Sequence, residues 1–510
     1  MKDKLKNIPG LENIKGINAA FDSSQIKRDP HTLAQWDKSQ NKIVSSFEEA
    51  VKLCDLKNGQ TISFHHHFRD GDYIVNMVVE KLAKMGFKDL VLAPSSLSDC
   101  HAPLIEHIKN GVIRRIETSG LRGKLAKEIS HGLMEIPVVF RSHGGRAYAI
   151  TKGDLPIDVA FLGAPSCDSA GNANGYCRDI EDAVMCGSMG YAKCDAQYAK
   201  KTVILTNNIV PYPNVPFGIP EYDVDYIVKV DEVGNPAGIM KGATRFTTDH
   251  KELLMAELAA QAIEAAGLLV DGFSFQTGTG GGSLAVTRFL REKMLTKQIT
   301  ASFAMGGITG SIVDLHEEGL IKKLLDVQGF DLRAAQSLKN NRFHHQVSAE
   351  YYASPEGTGA AVNHLDVVVL SATEVDVDFN VNVLTGSDGI IMGAVGGHQD
   401  TAFGAAVSIV ICPLTRSRLP CLVDRVDCLV TPGKTVDVII TEYGIAVNKE
   451  RDDLKKLFIA AKLPVVPMVE LRAKAESLVG KADPIEYTDK VVGIVTYRDG
   501  SVIDLIYQVR

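Results

Sequence analysis

Three runs in this chain gather residue types that suit chemistry better than packing. The first, His65-His66-His67-Phe68-Arg69-Asp70-Gly71-Asp72, sets three imidazoles and a guanidinium directly after the strand-like Ile62-Ser63-Phe64. Such groups are donors for carboxylates, and arginine can grip one with two parallel bonds. A transition metal is the rival occupant, but adjacent histidines on an extended segment face opposite ways, so at most His65 and His67 share one ion. Capping and packing is the plainer role for two of the three. The second run is Gln276-Thr277-Gly278-Thr279-Gly280-Gly281-Gly282-Ser283, between strand-like Phe273 to Phe275 and helix-like Leu284 to Leu290. Its glycines allow main-chain N–H groups and a helix start to approach an anion or a developing oxyanion. A tight strand–helix turn is the alternative. No Lys-Ser/Thr follows, which excludes a Walker A loop, and no acid closes a strand about 20 residues on, as a dinucleotide fingerprint requires.

The third run is Asp366 to Asp400. Buried-strand residues Val367 to Leu370 lead into Glu374, Asp376 and Asp378, and Gly393 to Asp400 reads as a turn carrying His398 and Asp400. Glu374 is a candidate nucleophile or base, and Gly396, Gly397 and His398 are candidate donors to an acyl oxygen. Three further polar clusters follow plausible strands: Ser95 to His101, with Ser98 and His101; Thr118 to Gly123, with Arg122; and Arg141 to Arg146. Each alone reads as a solvated turn. Together they concentrate positive charge in a chain of formal charge −7, which suggests a polyanionic small substrate.

The elements that must position these groups alternate. Ile62 to Phe64 and Leu90 to Ala93 read as strands, Ile74 to Met85 and Leu104 to Asn110 as helices, and this alternation implies parallel βαβ units. The chain also repeats itself: DVAFLGAPSCDSAGNAN (Asp158 to Asn174) aligns without a gap on DVVVLSATEVDVDFNVN (Asp366 to Asn382). Asp158, Asp168, Asn172 and Asn174 thereby pair with Asp366, Asp376, Asn380 and Asn382. A repeated residue more readily fixes a turn than does chemistry, whereas Glu374 pairs with Ser166. The expected fold class is α/β, two tandem duplicated domains with mainly parallel sheets and ligands outside the carboxyl ends of the strands. The expected boundaries are an arm over 1–44 and domains over 45–240 and 241–510, jointed between Gly234 and Thr248.

Length and composition agree. At 510 residues, 45% hydrophobic and 23% charged, the chain can build more than one core. One tryptophan and no Lys/Arg stripe argue against nucleic acid. The apolar runs, such as Ala405 to Pro413, fall short of the roughly 18 residues a membrane span needs, and MKDKLKNIPG lacks the apolar stretch of a signal peptide. Nine cysteines without a CxxC suit a reducing compartment and show no zinc spacing, so a cytoplasmic location and no metal are expected.

The runs A-x-E-V-D and G-G-x-x-D within Leu370 to Asp400, with VIITEYGIA at Val438 to Ala446, resemble the coenzyme A transferase superfamily. SFHHHFRDGD, SSLSDCHAPL, TSGLRG, QTGTGGGSLAVTRFL and LTGSDG resemble, within it, the citrate lyase alpha-subunit family, from about residue 45 to the C-terminus. The resemblance implies CoA-transferase-like domains and exchange of acetyl for citryl on the thiol of an acyl carrier, with release of acetate. It implies no permanently bound cofactor: the thiol belongs to a CoA-like phosphoribosyl-dephospho-CoA group on a gamma subunit, acetyl-CoA can stand in, and a beta subunit cleaves the citryl thioester in an oligomeric complex. The catalytic candidates are then His66, Glu374 and His398. His65, Arg69, Ser98, His101, Arg122, Arg141 and Arg146 are candidates for citrate, and Gly278, Gly280, Gly281, Gly282, Gly396, Gly397 and Asp400 for the CoA-like group. Related transferases form an acyl-glutamyl enzyme after a Gly-Ile-His-Thr loop. Here Gly307-Ile308-Thr309-Gly310 puts Gly310 at the glutamate's place, which favours direct attack by citrate in a ternary complex. The alternatives are a transferase or hydrolase for citramalate or another acyl-CoA, and a non-catalytic scaffold for the carrier and lyase subunits; a dinucleotide-dependent oxidoreductase fits least.

Overall fold

Parallel strands with both faces covered dominate the structure, a computed structural model that describes residues 41–240, 247–278, 280–356 and 359–510. The first sheet contains β1 (Ile43–Val44), β2 (Thr61–Phe64), β3 (Leu90–Pro94), β4 (Ile113–Thr118), β5 (Val138–Phe140), β6 (Val159–Ala164), β7 (Lys201–Thr206) and β8 (Tyr226–Lys229). Every residue of β2 and β6 is buried, as expected for central strands of a sheet covered on both sides. The strand-like and helix-like segments read in the first half are found within a residue or two, whereas the helix read over Leu284 to Leu290 runs longer, Gly281–Lys297. The helix Ile74–Lys84, for instance, buries Ile74, Val75, Val78, Val79 and Leu82, one stripe at helical spacing.

The second sheet contains β9 (Ser274–Thr277), β10 (Phe303–Ile308), β11 (Leu324–Gly329), β12 (His344–Gln346), β13 (Val367–Ser371), β14 (Val407–Ile411), β15 (Val438–Thr441) and β16 (Gly444–Val447). Its order, β15-β14-β13-β9-β10-β11-β12, reproduces the β8-β7-β6-β2-β3-β4-β5 order of the first sheet. The duplication extends to side chains. Asp158 accepts the main-chain N–H of Thr61 at 2.8 Å, and Asp366 accepts that of Ser274 at 2.7 Å. Asp168 accepts from the amides of Ala170, Gly171 and Asn172, while Asp376 accepts from those of Asp378 and Asn380. Asp168 and Asp376 therefore fold turns, while Asp158 and Asp366 tie neighbouring strands together.

Symmetry breaks at the chain's end. The hairpin β17 (Tyr487–Thr496) and β18 (Val502–Val509) crosses back to pair with β5 of the first sheet. The apolar core there takes in Leu384, Ile391 and Val395 with Val492, Val495 and Ile506. The halves are also laced through main chain: Leu121 donates to Gly393 O at 3.1 Å and Val395 to Ser119 O at 2.8 Å. A Cβ on Gly120 would lie 2.3 Å from that of Ala394, so glycine is required for this approach. The arm expected over 1–44 lies, up to residue 40, outside the described residues, as do 241–246 of the expected joint; Ile43 and Val44 form an edge strand. No helix among the described residues is long and apolar enough to cross a membrane.

Candidate active site

The carboxyl ends of β2, β3, β4 and β5 face those of β9, β10, β11 and β13 across a cavity of about 260 Å³. His66, Arg69, Ser96, Ser119, Arg122 and His143 come from the first half. Gln276, Gly278, Gly306, Gln328 and the Gly396-Gly397-His398 turn come from the second. A larger cleft of about 1080 Å³, beside β16 and the helices Asp452–Ala460 and Met468–Val479, has four lysines but no histidine or arginine. It gathers none of the candidate donors.

The His66–Asp72 loop is fixed from both sides. Gln328 of β11 donates to His66 O at 3.1 Å, and Gly71 packs so closely on Asn235 that a Cβ would sit 2.0 Å from its carbonyl oxygen. Arg69 adopts φ 53°, a left-handed conformation uncommon for a side chain of its size, and its guanidinium lies 4.7 Å over the Phe330 ring. Its Nη1 is sealed off without a hydrogen bond. Burial and Arg122 together push its pKa down to about 10, and burial likewise lowers that of Arg122, whose side chain opens into the cleft. Among the described residues neither guanidinium forms an ion pair with a carboxylate. Two cations held together against their mutual repulsion make a site for an anion.

His66 is neutral, because burial and then the charge of Arg69 hold its pKa well below the usual imidazole range. His143, first residue of the helix His143–Lys152, is pushed to about 3 by burial and then Arg146. Its Nδ1 is sealed off without a partner, so a proton there would be a buried unsatisfied donor; the proton belongs on Nε2. The hydroxyl of Tyr191, edge-on to His143 at 4.7 Å, is also buried without a partner. Opposite, Gly396 at φ 57° followed by Gly397 at φ −90°, ψ 13° forms a left-then-right pair whose successive amides make a concave anion nest. A Cβ on Gly397 would lie 2.5 Å from the Tyr352 hydroxyl.

The structure brings His66, Arg69, Arg122, Gly278, Gly280, Gly396, Gly397 and His398 to the cavity. The other expected site residues lie elsewhere. Glu374 accepts from Asn382 at 3.1 Å and from the Asp427 amide at 3.4 Å, and burial raises its pKa. His65 points into the core, where burial lowers its pKa to about 3. Arg146 is locked onto Asp195 by bonds of 2.6 and 2.8 Å, and Arg141 onto Glu117 at 2.8 Å. Ser98 and His101 cap each other behind the loop, Ser98 reaching Arg69 O at 3.4 Å and His101 reaching Asp72 at 3.3 Å. Gly281 and Gly282 face Glu252 of the helix His250–Ala265, and the amide of Gly278 is spent on Val369 O at 2.7 Å. Asp400 is buried under Gly144.

His398 lines the wall but opens a helix, His398–Gly404, in place of the turn expected to run on to Asp400. Its Nδ1 meets Thr431 Oγ1 at 2.7 Å and its Nε2 donates to Ser371 O at 3.2 Å, so neither nitrogen is left for a ligand. Sequence reasoning missed His143, Tyr191, Gln276, Gln328, Phe330 and Tyr352 as lining residues. His143 and Gln276 stood inside polar runs already noted; the tyrosines carried no local signal.

A family model described as citrate lyase, alpha subunit (CitF), matches residues 40–509. The citrate lyase alpha chain of Klebsiella pneumoniae is 57% identical over 501 residues, 98% of this chain and 96% of that protein. A solved alpha subunit of citrate lyase from Streptococcus mutans, in complex with citrate, superposes with a TM-score of 0.89 at 55% identity, covering 94% of this chain and 93% of that one. The malonate decarboxylase alpha subunit of Acinetobacter baumannii has a TM-score of 0.63 at 15% identity, over 87% of this chain and 90% of that one, a likeness of fold.

Proposed function

The chain belongs to the citrate lyase alpha-subunit family, and from that premise we propose that its inter-sheet cavity is where a citrate carboxylate meets an acyl thioester. The subunit is an enzyme of the coenzyme A transferase type, acting on citrate within a citrate lyase complex. The finer reading is exchange of acetyl for citryl on the CoA-like phosphoribosyl-dephospho-CoA group of a gamma carrier subunit, with acetyl-CoA as a substitute donor. A beta subunit then cleaves the citryl thioester. The transferase domains are taken as 45–240 and 241–510, the second lending its terminal hairpin to the first sheet.

One observation carries the mechanism: no aspartate or glutamate is among the described residues lining the cavity, while two unpaired guanidiniums are. A citrate carboxylate is already ionised and needs no base; it needs a counter-charge and donors for the oxyanion. Arg69 and Arg122 supply the first, and the Gly396 and Gly397 amides the second. The carboxylate oxygen attacks the thioester carbon, the oxyanion collapses with loss of thiolate, and an acetyl–citryl anhydride remains. The thiolate then attacks the citryl carbonyl and acetate departs, so every bond broken is replaced. Holding both reactants in one cavity makes each step effectively intramolecular.

The test is trapping. The subunit loaded with acetyl-CoA and treated with borohydride or hydroxylamine is expected to yield no modified carboxylate by peptide mapping, whereas the same protein makes citryl-CoA once citrate is added. A modified glutamate, Glu374 included, overturns the direct route, and failure to form citryl-CoA overturns the assignment of catalysis to this chain.

A further inference from the structure

We propose that Ser95 is a positioning residue that holds His66 in the tautomer with its proton on Nε2, so that His66 meets substrate as a hydrogen-bond donor and never as a base. This rests on the reading of the cavity given above and deepens it.

Ser95 follows β3 and is fully buried. Its amide donates to Phe64 O at 3.0 Å and its carbonyl accepts from Ser119 at 3.2 Å, which pins its main chain to both neighbouring strands. Among the described residues its hydroxyl has two partners, both on His66. The main-chain N–H of His66 donates to Ser95 Oγ at 3.0 Å, and the same Oγ is bonded to Nδ1 of the ring. A hydroxyl has one proton to give. If Nδ1 carried the imidazole proton, Oγ would accept twice and its own O–H would be stranded in a buried site without an acceptor. If Nδ1 is bare, the hydroxyl donates to it and every group is satisfied. The second arrangement wins by the cost of a buried unsatisfied donor. The proton is thus on Nε2, the ring nitrogen that has no partner among the described residues and is not sealed off, on a ring that lines the cavity.

The consequence is selectivity between nucleophiles. A donor at this position can bind a carboxylate or an oxyanion. It cannot take a proton from water, and the neighbouring His143 is bare only at its sealed nitrogen. Citrate attacks without help, water needs a base, and so the tautomer suppresses hydrolysis of the thioester.

The experiment uses the full-length subunit with ¹⁵N-labelled histidine, acetyl-CoA as donor, and the variants Ser95→Ala, Ser95→Thr and His66→Ala. The expected spectrum shows a proton on Nε2 of His66, identified by its loss in His66→Ala, with no titration between about pH 5 and 8. Ser95→Ala is expected to free the ring, so that it can turn its bare Nδ1 toward the cavity, to lower citrate-dependent exchange about tenfold, and to raise the ratio of acetyl-CoA hydrolysis to transfer. Ser95→Thr keeps the hydroxyl and should restore both. A proton on Nδ1 in the parent protein overturns the proposal even if Ser95→Ala does not fold. So does a Ser95→Ala protein with unchanged exchange and unchanged hydrolysis-to-transfer ratio. If His66→Ala retains full transfer, the reading of the cavity itself falls, an outcome separate from a wrong tautomer in a protein that needs His66.

Discussion

Asp400 accepts the main-chain N–H of Gly144 at 2.9 Å, so the start of the helix that carries His143 hangs on a carboxylate from the other half of the chain. The same carboxylate accepts from Ser142 Oγ at 3.0 Å and from Arg498 Nε at 3.0 Å, the arginine lying in the turn of the returning hairpin. A residue expected to touch the CoA-like group is instead the knot of three segments. Asp400→Ala would leave Arg498 buried without its partner, at a cost of about 3–5 kcal/mol. Urea unfolding should show this loss, with Asp400→Asn less severe. A variant that unfolds like the parent but has a raised KM for acetyl-CoA would return Asp400 to ligand binding.

Arg69→Ala should raise the KM for citrate about a hundredfold while changing that for acetyl-CoA little, since one charge-assisted pair is removed from one substrate. Arg69→Lys should recover only part of the loss, because an ammonium cannot grip a carboxylate with two parallel bonds. Steady-state kinetics with each substrate varied in turn decides it, and equal losses for both would take Arg69 out of the citrate site.

Gly397→Ala places a methyl 2.5 Å from the Tyr352 hydroxyl and displaces the Gly396-Gly397 turn that lines the cavity. Its effect should fall on kcat, by roughly 10²–10³, with citrate affinity nearly kept, because an oxyanion exists only along the reaction path. Isothermal titration with citrate beside turnover separates the two. A lost citrate affinity with normal kcat would assign the nest to ground-state binding.

His101 should hold the Arg69 loop as a neutral ring. Its Nδ1 accepts the main-chain N–H of Ser98 at 2.9 Å and its Nε2 donates to Asp72 at 3.3 Å, so a second proton would break the bond to Ser98. His101→Ala strands a buried amide and carboxylate and should cost about 1–3 kcal/mol in urea melts. Because Ser98 and His101 back the Arg69 loop, citrate use should weaken with it; a variant as stable as the parent with an unchanged KM for citrate would refute this.

The parallel α/β class, the duplication and the loops that carry the site were legible in the sequence because each is written locally. Short apolar runs, glycine turns and an ungapped repeat need no knowledge of distant partners, and parallel strands put their loops at one end. The repeat also separated Asp376 and Asn380, which fold a turn, from the candidates for chemistry. What the tertiary structure alone decided was the fate of each side chain. Arg146 and Arg122 read alike in sequence, but Asp195 neutralises the first and no described carboxylate pairs with the second. His65 and His66 are neighbours on an extended segment, which turns one into the core and the other into the cavity. Glu374 and His398 looked reactive, yet Asn382 and Asp427 hold the first, and Thr431 and Ser371 the second. A side chain's charge and proton are set by whatever folding brings against it, and those partners lie from eight to more than fifty residues away.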